Sequence, residues 1–291
     1  VRSDVASPVA LLAESWSTLT AAQARLHDVR DREHRNADGG DAGHQWDEGL
    51  VRRHAVNYAV AVHEARAVTL PGPLLDVGAG AGAFSVWAAA TLDRSLVLVD
   101  RDASHRDLAS RAFDHVSVHT EVADADPAPV VLCMEVLEHM PSVEHVPFVT
   151  ALAAVVQPGG LLALSTPDES GYWRGWSGYP PHIGTVDATR LAVLLDRVLP
   201  DWTVEVLRVG GPGFDLSRVG RYGVPLANRV WNALQTTAPR VAHELTYRAG
   251  QVGKRRAAPA PPDPREFHIG PATQGAGTGL VAVARRPALS A

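Results

Sequence analysis

Two groups of side chains have types and spacing that can do chemistry. The first lies in Leu74-Leu75-Asp76-Val77-Gly78-Ala79-Gly80-Ala81-Gly82-Ala83, together with a second apolar run, Leu96 to Val99, that ends in Asp100. An apolar strand that enters a glycine turn and then a helix lets the backbone approach a ligand closely. An acid at the end of the next strand suits a ribose, because its two oxygens match a vicinal diol. Asp100 stands 22 residues after Gly78 (100 − 78), close to the roughly 20 residues that such nucleoside sites use. The second group is Glu135, Glu138 and His139, directly after the apolar run 130–134. Positions i, i+3 and i+4 share one face of a helical turn. Two carboxylates and an imidazole would then converge at the carboxyl end of a strand, where open α/β sheets bind their ligands.

These groups need a scaffold, and the hydrophobic pattern supplies one. Helical spacing covers 8–35 and 50–68, separated by the Gly- and Asp-rich loop 36–43. Short apolar strands fall near 73–77, 96–100, 116–122, 130–134, 161–165 and 203–209, alternating with helices over 83–92, 103–113, 144–156 and 187–198. Such alternation predicts an α/β fold, a doubly wound, mostly parallel Rossmann-like sheet with helices on both faces. The pattern breaks over 210–278, where a helix at 225–248 precedes GKRRAAPAPPDP (253–264), a stretch too rich in Pro and Ala for core and expected to be a mobile linker. Strand character returns at 279–287. The expected organisation is an N-terminal helical cap (1–70), a ligand-binding core (71–210), an insertion or lid (211–278), and a last strand with a tail (279–291).

Composition narrows the function classes. The chain has 291 residues, is 46% hydrophobic and 20% charged, and carries a net charge of −5. That charge gives no global attraction to nucleic acid or to an anionic membrane. No apolar run reaches the ~18 residues of a membrane span, and the first residues lack a signal-peptide profile. The one cysteine, Cys133, sits in an apolar run and cannot form an internal disulfide, which suits a cytoplasmic protein. Oligomeric state is not legible.

The glycine turn by itself leaves two enzyme classes open. Gly78-x-Gly80-x-x-Ala83 also satisfies the dinucleotide fingerprint of a nicotinamide-dependent oxidoreductase. Three further features turn the balance: Asp76 two residues before the first glycine, the third glycine at Gly82, and the segments CMEVLEHMP (133–141) and QPGGLLALSTP (157–167). Together these resemble the class I S-adenosylmethionine (SAM)-dependent methyltransferases, over about residues 72–210 and a final strand near 279–286. The resemblance implies a seven-stranded sheet with an antiparallel last strand and SAM as cofactor. It places Asp76, Gly78, Gly80 and Gly82 at the methionine end of SAM and Asp100 on the ribose. It places Asp124 on the adenine, with Glu121 as a rival, and Glu135 along the methionine and methyl side.

The E-x-x-E-H spacing resembles two groups within that class. One is the ubiquinone-biosynthesis O-methyltransferases, the other the small-RNA 3′-terminal 2′-O-methyltransferases. In both, these positions bind a divalent metal. In the RNA group a second His follows the Ser-Thr-Pro segment, and His182 follows Ser165-Thr166-Pro167 in this order. The resemblance therefore implies Mg²⁺ or Mn²⁺ at Glu135, Glu138, His139 and His182, with Glu138 and His139 at the reaction centre. The alternatives are His139 as a general base without metal, or as a loop-packing residue. The expected activity is O-methylation of a small-molecule hydroxyl in specialised metabolism. Beside it stand RNA 2′-O-methylation, N- or C-methylation by proximity or a His base, and the oxidoreductase. Tyr172, Trp173, Trp176 and Tyr179 in 171–184 are candidates for a substrate wall, and Trp46 for a lid. Eight basic residues against one acid (Glu244) in 218–256 are either a solvated face or an anion-binding one.

Overall fold

A computed structural model describes residues 7–38, 48–238, 258–275 and 277–289. Trp46, residues 253–257 of the expected linker, and the end of the expected helix at 225–248 lie outside the described residues, as do five of the eight basic residues of 218–256.

Eight strands form one sheet in the order β3-β2-β1-β4-β5-β8-β6-β7. They are β1 (Leu74–Val77), β2 (Leu96–Val99), β3 (Ser117–His119), β4 (Ala128–Met134), β5 (Val156–Pro167), β6 (Thr203–Gly210), β7 (His268–Pro271) and β8 (Gly279–Arg285). The first five strands pair in parallel, and β8 runs antiparallel between β5 and β6. All seven residues of β4 are buried, as expected of a parallel strand covered on both faces. The strand order reverses between β1 and β4, so a crevice opens at their carboxyl ends. Both chemically notable segments leave the sheet there.

The period-two alternation of the strands divides the core. Leu74, Val130, Leu132, Leu161, Ala163, Val281 and Val283 face α1 (Pro8–Glu14), α3 (Glu48–Ala65) and α4 (Ala83–Thr91). Leu75, Val131, Cys133, Leu162, Leu164 and Ala282 face α6 (His145–Ala154) and α7 (Ala188–Val198). Two further helices, α2 (Trp16–Asp38) and α5 (Ala103–Ala112), pack beside α4 and β3. The stretch expected as one helix at 8–35 is two, interrupted at Ser15, whose hydroxyl accepts the Trp87 indole N–H at 2.9 Å. Helix α3 packs onto the sheet: Ala55, Val56, Ala59, Val60 and Val62 are buried in the same cluster as the strands.

Three differences from the sequence reading have physical causes. First, the sheet has eight strands where seven were expected, because β7 forms inside the 211–278 insertion and pairs antiparallel with β6. Its sequence, His-Ile-Gly-Pro, is half exposed and holds both strand-weakening residue types. Second, the insertion helix α8 (Arg218–Thr237) begins seven residues before the expected start (225 − 218). Its first turn is capped by Ser217, whose side chain accepts from Gly220 N, and Pro225 lies inside it. Third, the Pro-rich stretch is anchored where it is described. Pro259 and Pro262 are buried, and the Pro259 carbonyl accepts the Trp16 indole N–H at 2.8 Å. Proline has no N–H to satisfy, so a Pro-rich strand of chain can lie in an apolar groove without orphaned donors.

Trp16→Phe keeps the ring packing and removes that donor. It should cost roughly 0.5–1.5 kcal/mol, the net value of one hydrogen bond, and should make residues 258–263 cleavable by protease. Urea melts and limited proteolysis check both. An unchanged cleavage pattern would mean that packing alone holds the segment.

Candidate active site

The glycine turn between β1 and α4 uses its three glycines differently. A Cβ at Gly78 would sit 2.4 Å from Val136 Cγ2, and one at Gly82 would sit 2.6 Å from Leu98 Cδ1. Those two positions are closed by packing. Gly80 has φ +56° and nothing within 4 Å of its would-be Cβ, so it faces open space. Its N–H donates to Asp100 Oδ2 at 2.7 Å, while Asp102 N–H donates to Oδ1 at 2.8 Å. The acid at the end of β2 is thereby fixed against the turn at the end of β1.

Beside them lies a cavity of about 570 Å³ lined by Gly78, Asp100, Glu121, Val122, Met140 and Phe148, among others. Carboxylates at one rim and apolar side chains along the walls suit a nucleoside. Asp124, the expected adenine contact, does not line this cavity. Its Oδ2 accepts from Glu121 N–H at 3.2 Å, closing a short helical turn. The cavity acid after β3 is Glu121.

Asp76 is fully buried at the floor of the crevice. Its Oδ2 accepts from Ser85 Oγ at 2.6 Å and Tyr58 OH at 2.8 Å, while Oδ1 has no hydrogen-bond partner. Burial pushes its carboxyl up to about 6, against the opposing hydrogen bonds from Ser85 and Tyr58. Tyr58 is raised well above the usual phenol range, by burial and then by Asp76. The helix that brings Tyr58, α3, also brings Arg53 and Asn57. Glu135 Oε1 accepts from Asn57 Nδ2 at 3.0 Å and Ser165 Oγ at 2.8 Å, and Arg53 Nε lies 3.5 Å from Oε2. Among the described residues, Arg53 Nη2 and Asn57 Oδ1 are buried without hydrogen-bond partners, like Asp76 Oδ1. Sequence reasoning missed this face of α3. A signal existed, since Asn57 and Tyr58 interrupt an otherwise apolar run, and buried polar residues are the informative ones.

Three of the four expected metal ligands come together. Glu138, His139 and His182 each offer a ligand atom within 4.8 Å of the others. Glu135 is not part of that group. The expectation of a shared face assumed an α-helical turn, but Glu135 has φ +56° and only Leu137–His139 is helical, as a 3₁₀ turn. Glu135 therefore turns to α3 and Ser165. Glu138 is 1% exposed, and its Oε2 accepts from Thr166 Oγ1 at 3.0 Å. Burial, then the neighbouring Glu135 charge, raises its carboxyl well above the usual range. His139 Nδ1 lies 3.3 Å from Pro181 O, and His182 Nδ1 lies 2.6 Å from Glu169 Oε1. An oxygen acceptor faces each Nδ1, the arrangement in which Nδ1 carries a proton and donates. The two rings meet edge to face at 4.9 Å.

The aromatic loop splits in role. Tyr179 packs edge-on against His182 at 4.9 Å, and Trp176 Nε1 donates to His182 O at 3.1 Å. Trp173 takes the guanidinium groups of Arg174 and Arg229 over its ring. Helix α8 fastens this loop through Asn228 Nδ2 to Ser177 O at 2.8 Å and Asn232 Nδ2 to Gly178 O at 3.2 Å.

A family model of the methyltransferase domain matches residues 52–208, more than half of the chain, and the chain belongs to that family. Its class I architecture is that of the SAM-dependent methyltransferases. A ubiquinone biosynthesis O-methyltransferase of Coxiella burnetii is 30% identical over 122 residues, 39% of this chain and 51% of the relative. The chain thus spans about half the length of the curated relatives it matches. A candidate sarcosine dimethylglycine methyltransferase from Galdieria sulphuraria is 14% identical, covers 88% of this chain and 98% of its own, and superposes with a TM-score of 0.50. The YcgJ protein from Bacillus subtilis is 12% identical, covers 80% and 99%, and also has a TM-score of 0.50. At these identities the two structures establish the fold. Among the described residues, no helix is long and apolar enough to cross a membrane.

Asp76 gives a pH-dependent expectation. Its folded value of about 6 lies above the ordinary 3.8, so the folded protein holds the proton more tightly than the unfolded chain. The resulting stabilisation is fully present below about pH 4 and is lost as pH rises through about 6. Asp76→Asn stays neutral and still accepts from Ser85 and Tyr58. Without SAM, the variant should be more stable than the parent at pH 8, by up to roughly 3 kcal/mol, and the gap should close toward pH 4. Urea melts at pH 4, 6 and 8 measure it. A gap independent of pH would show that Asp76 is not the group being titrated.

Proposed function

We propose that this methyltransferase transfers the SAM methyl group to a hydroxyl of a small-molecule acceptor, with a divalent ion held by Glu138, His139 and His182. The convergence of one carboxylate and two imidazoles, each imidazole with Nδ1 engaged and Nε2 free, carries the reading. A set of hard oxygen and imidazole donors suits Mg²⁺ or Mn²⁺ and leaves positions for substrate oxygens.

When bound, SAM supplies an electrophilic methyl group on a sulfonium. The chain's own residues do the positioning. Asp100 takes the ribose hydroxyls, Glu121 and the apolar wall around Val122 take the adenine, and Gly80 leaves room for close approach. Three buried, unpartnered atoms, one on β1 and two on α3, match an amino acid in sign. Arg53 Nη2 offers a donor to a carboxylate, while Asp76 Oδ1 and Asn57 Oδ1 offer acceptors to an ammonium group. Glu135 braces Arg53 and Asn57 in that arrangement. The ion would supply Lewis acidity that lowers the pKa of the acceptor hydroxyl. In its absence His139 Nε2 is free to take the proton.

O-methylation is supported by the match to an O-methyltransferase and by the oxygen-seeking character of the donor set. A small acceptor is supported by the net charge of −5, which repels a polyphosphate chain. The insertion helix and aromatic loop over the crevice suit an enzyme tailored to one specialised metabolite.

Two measurements test this. Asp100→Ala should weaken SAM binding by roughly 1.5–3 kcal/mol for each charged hydrogen bond lost, read by calorimetry; unchanged affinity would remove Asp100 from the cofactor site. Exhaustive chelation should abolish turnover while leaving SAM affinity intact, and Mn²⁺ or Mg²⁺ should restore it. Full turnover in chelated enzyme would rule out the metal and leave His139 as the base, whose replacement by Ala should then lower the rate by roughly 10²–10⁴.

A further inference from the structure

We propose that Glu169 is a positioning residue for His182, and that helix α8 of the insertion holds it in place. Its catalytic consequence rests on the metal-assisted reading above; the positioning itself does not. Glu169 is 3% exposed, and each carboxylate oxygen has its own partner. Oε1 meets His182 Nδ1 at 2.6 Å, and Oε2 accepts from Ser177 N–H at 2.9 Å. With Oε2 taken up by the Ser177 N–H, Oε1 is the oxygen that faces the ring, and an acceptor against His182 Nδ1 favours the tautomer with the proton on Nδ1, reserving Nε2 for the Glu138–His139 cluster.

The second oxygen links this contact to the insertion. Ser177 N–H binds Glu169, and Ser177 O accepts from Asn228 on α8 at 2.8 Å. The next residue, Gly178, has φ +79° and lies so close to α8 that a Cβ would sit 3.1 Å from Pro225 O. Loop and helix therefore fit together at one separation. A continuous path runs from α8 through Asn228, Ser177 and Glu169 to His182, so the least core-like part of the chain sets the orientation of one candidate ligand.

The test compares Glu169→Ala, Glu169→Gln and Asn228→Ala with the parent. Imidazole tautomers are read from long-range ¹H–¹⁵N spectra, Mn²⁺ affinity from electron paramagnetic resonance, and SAM affinity from calorimetry. In Glu169→Ala, His182 should leave the Nδ1–H form for a tautomer mixture, and Mn²⁺ affinity should fall roughly 10–100-fold. The Gln amide offers one oxygen where two donors need two, so Glu169→Gln should fall between, and it carries the test should the Ala variant not fold. Asn228→Ala should move both readouts in the same direction by less, and SAM affinity should stay within about twofold throughout. His182 remaining in the Nδ1–H form in both Glu169 variants would overturn the proposal. A parent protein that binds no Mn²⁺ but whose His182 tautomer still shifts would overturn the metal reading and leave the positioning role standing.

Discussion

A carboxylate sealed from water organises this molecule. Asp76 lies on β1, fully buried, and its Oδ2 accepts from a hydroxyl on α3 and another on α4. Placing a charge in such a site costs several kcal/mol unless partners compensate. Tyr58 and Ser85 are therefore pinned to it, and with them the two helices that flank the glycine turn. Phe84, next to Ser85, stacks on Tyr58 at 5.4 Å, so the polar contact and the apolar one hold the same pair of elements. The turn that leaves room above Gly80 keeps its shape because both of its walls are tied to one atom, Asp76 Oδ2.

The other half of the crevice is organised by Glu135 in a different manner. Its left-handed backbone ends β4 abruptly, and its carboxylate reaches Arg53, Asn57 and Ser165. A non-glycine residue at positive φ stores strain of order 1 kcal/mol or more and persists where surrounding contacts over-determine it. Here those contacts join the sheet to α3. The short 3₁₀ turn that follows then brings Glu138 and His139 together with His182. One acid thus braces α3 against the sheet, while its neighbour three residues on joins His139 and His182.

Much of this was legible from residue order. The central strands are apolar on both faces and bounded by turn residues, so β1, β2, β4 and β8 fall within two residues of where the pattern puts them. The glycine turn and Asp100 were legible because a strand, a glycine turn, a helix and an acid at the end of the next strand make a recognisable spacing. What escaped notice depended on backbone conformation or on partners distant in sequence. The face shared by Glu135, Glu138 and His139 presumed a regular helix, and no sequence pattern marks Glu135 for a left-handed conformation. Glu169 reads as an ordinary loop acid until His182, 13 residues away, comes within 2.6 Å of it. Strand β7 carries Gly270 and Pro271 and no alternation, and only the open edge of β6 calls it into the sheet.

That last strand has a consequence for how copies of the chain meet one another. Both edges of the sheet are short, three residues in β3 and four in β7, against twelve in β5 at the centre. A long flat edge is a template for pairing with a second chain, whereas a short one ending in proline offers few free donors. Without β7, the last four residues of β6, Leu207 to Gly210, would present an unpaired backbone to solvent. By spending a small part of the insertion on covering them, the fold ends its sheet in a selvedge, a finished border that resists the growth of edge-to-edge aggregates.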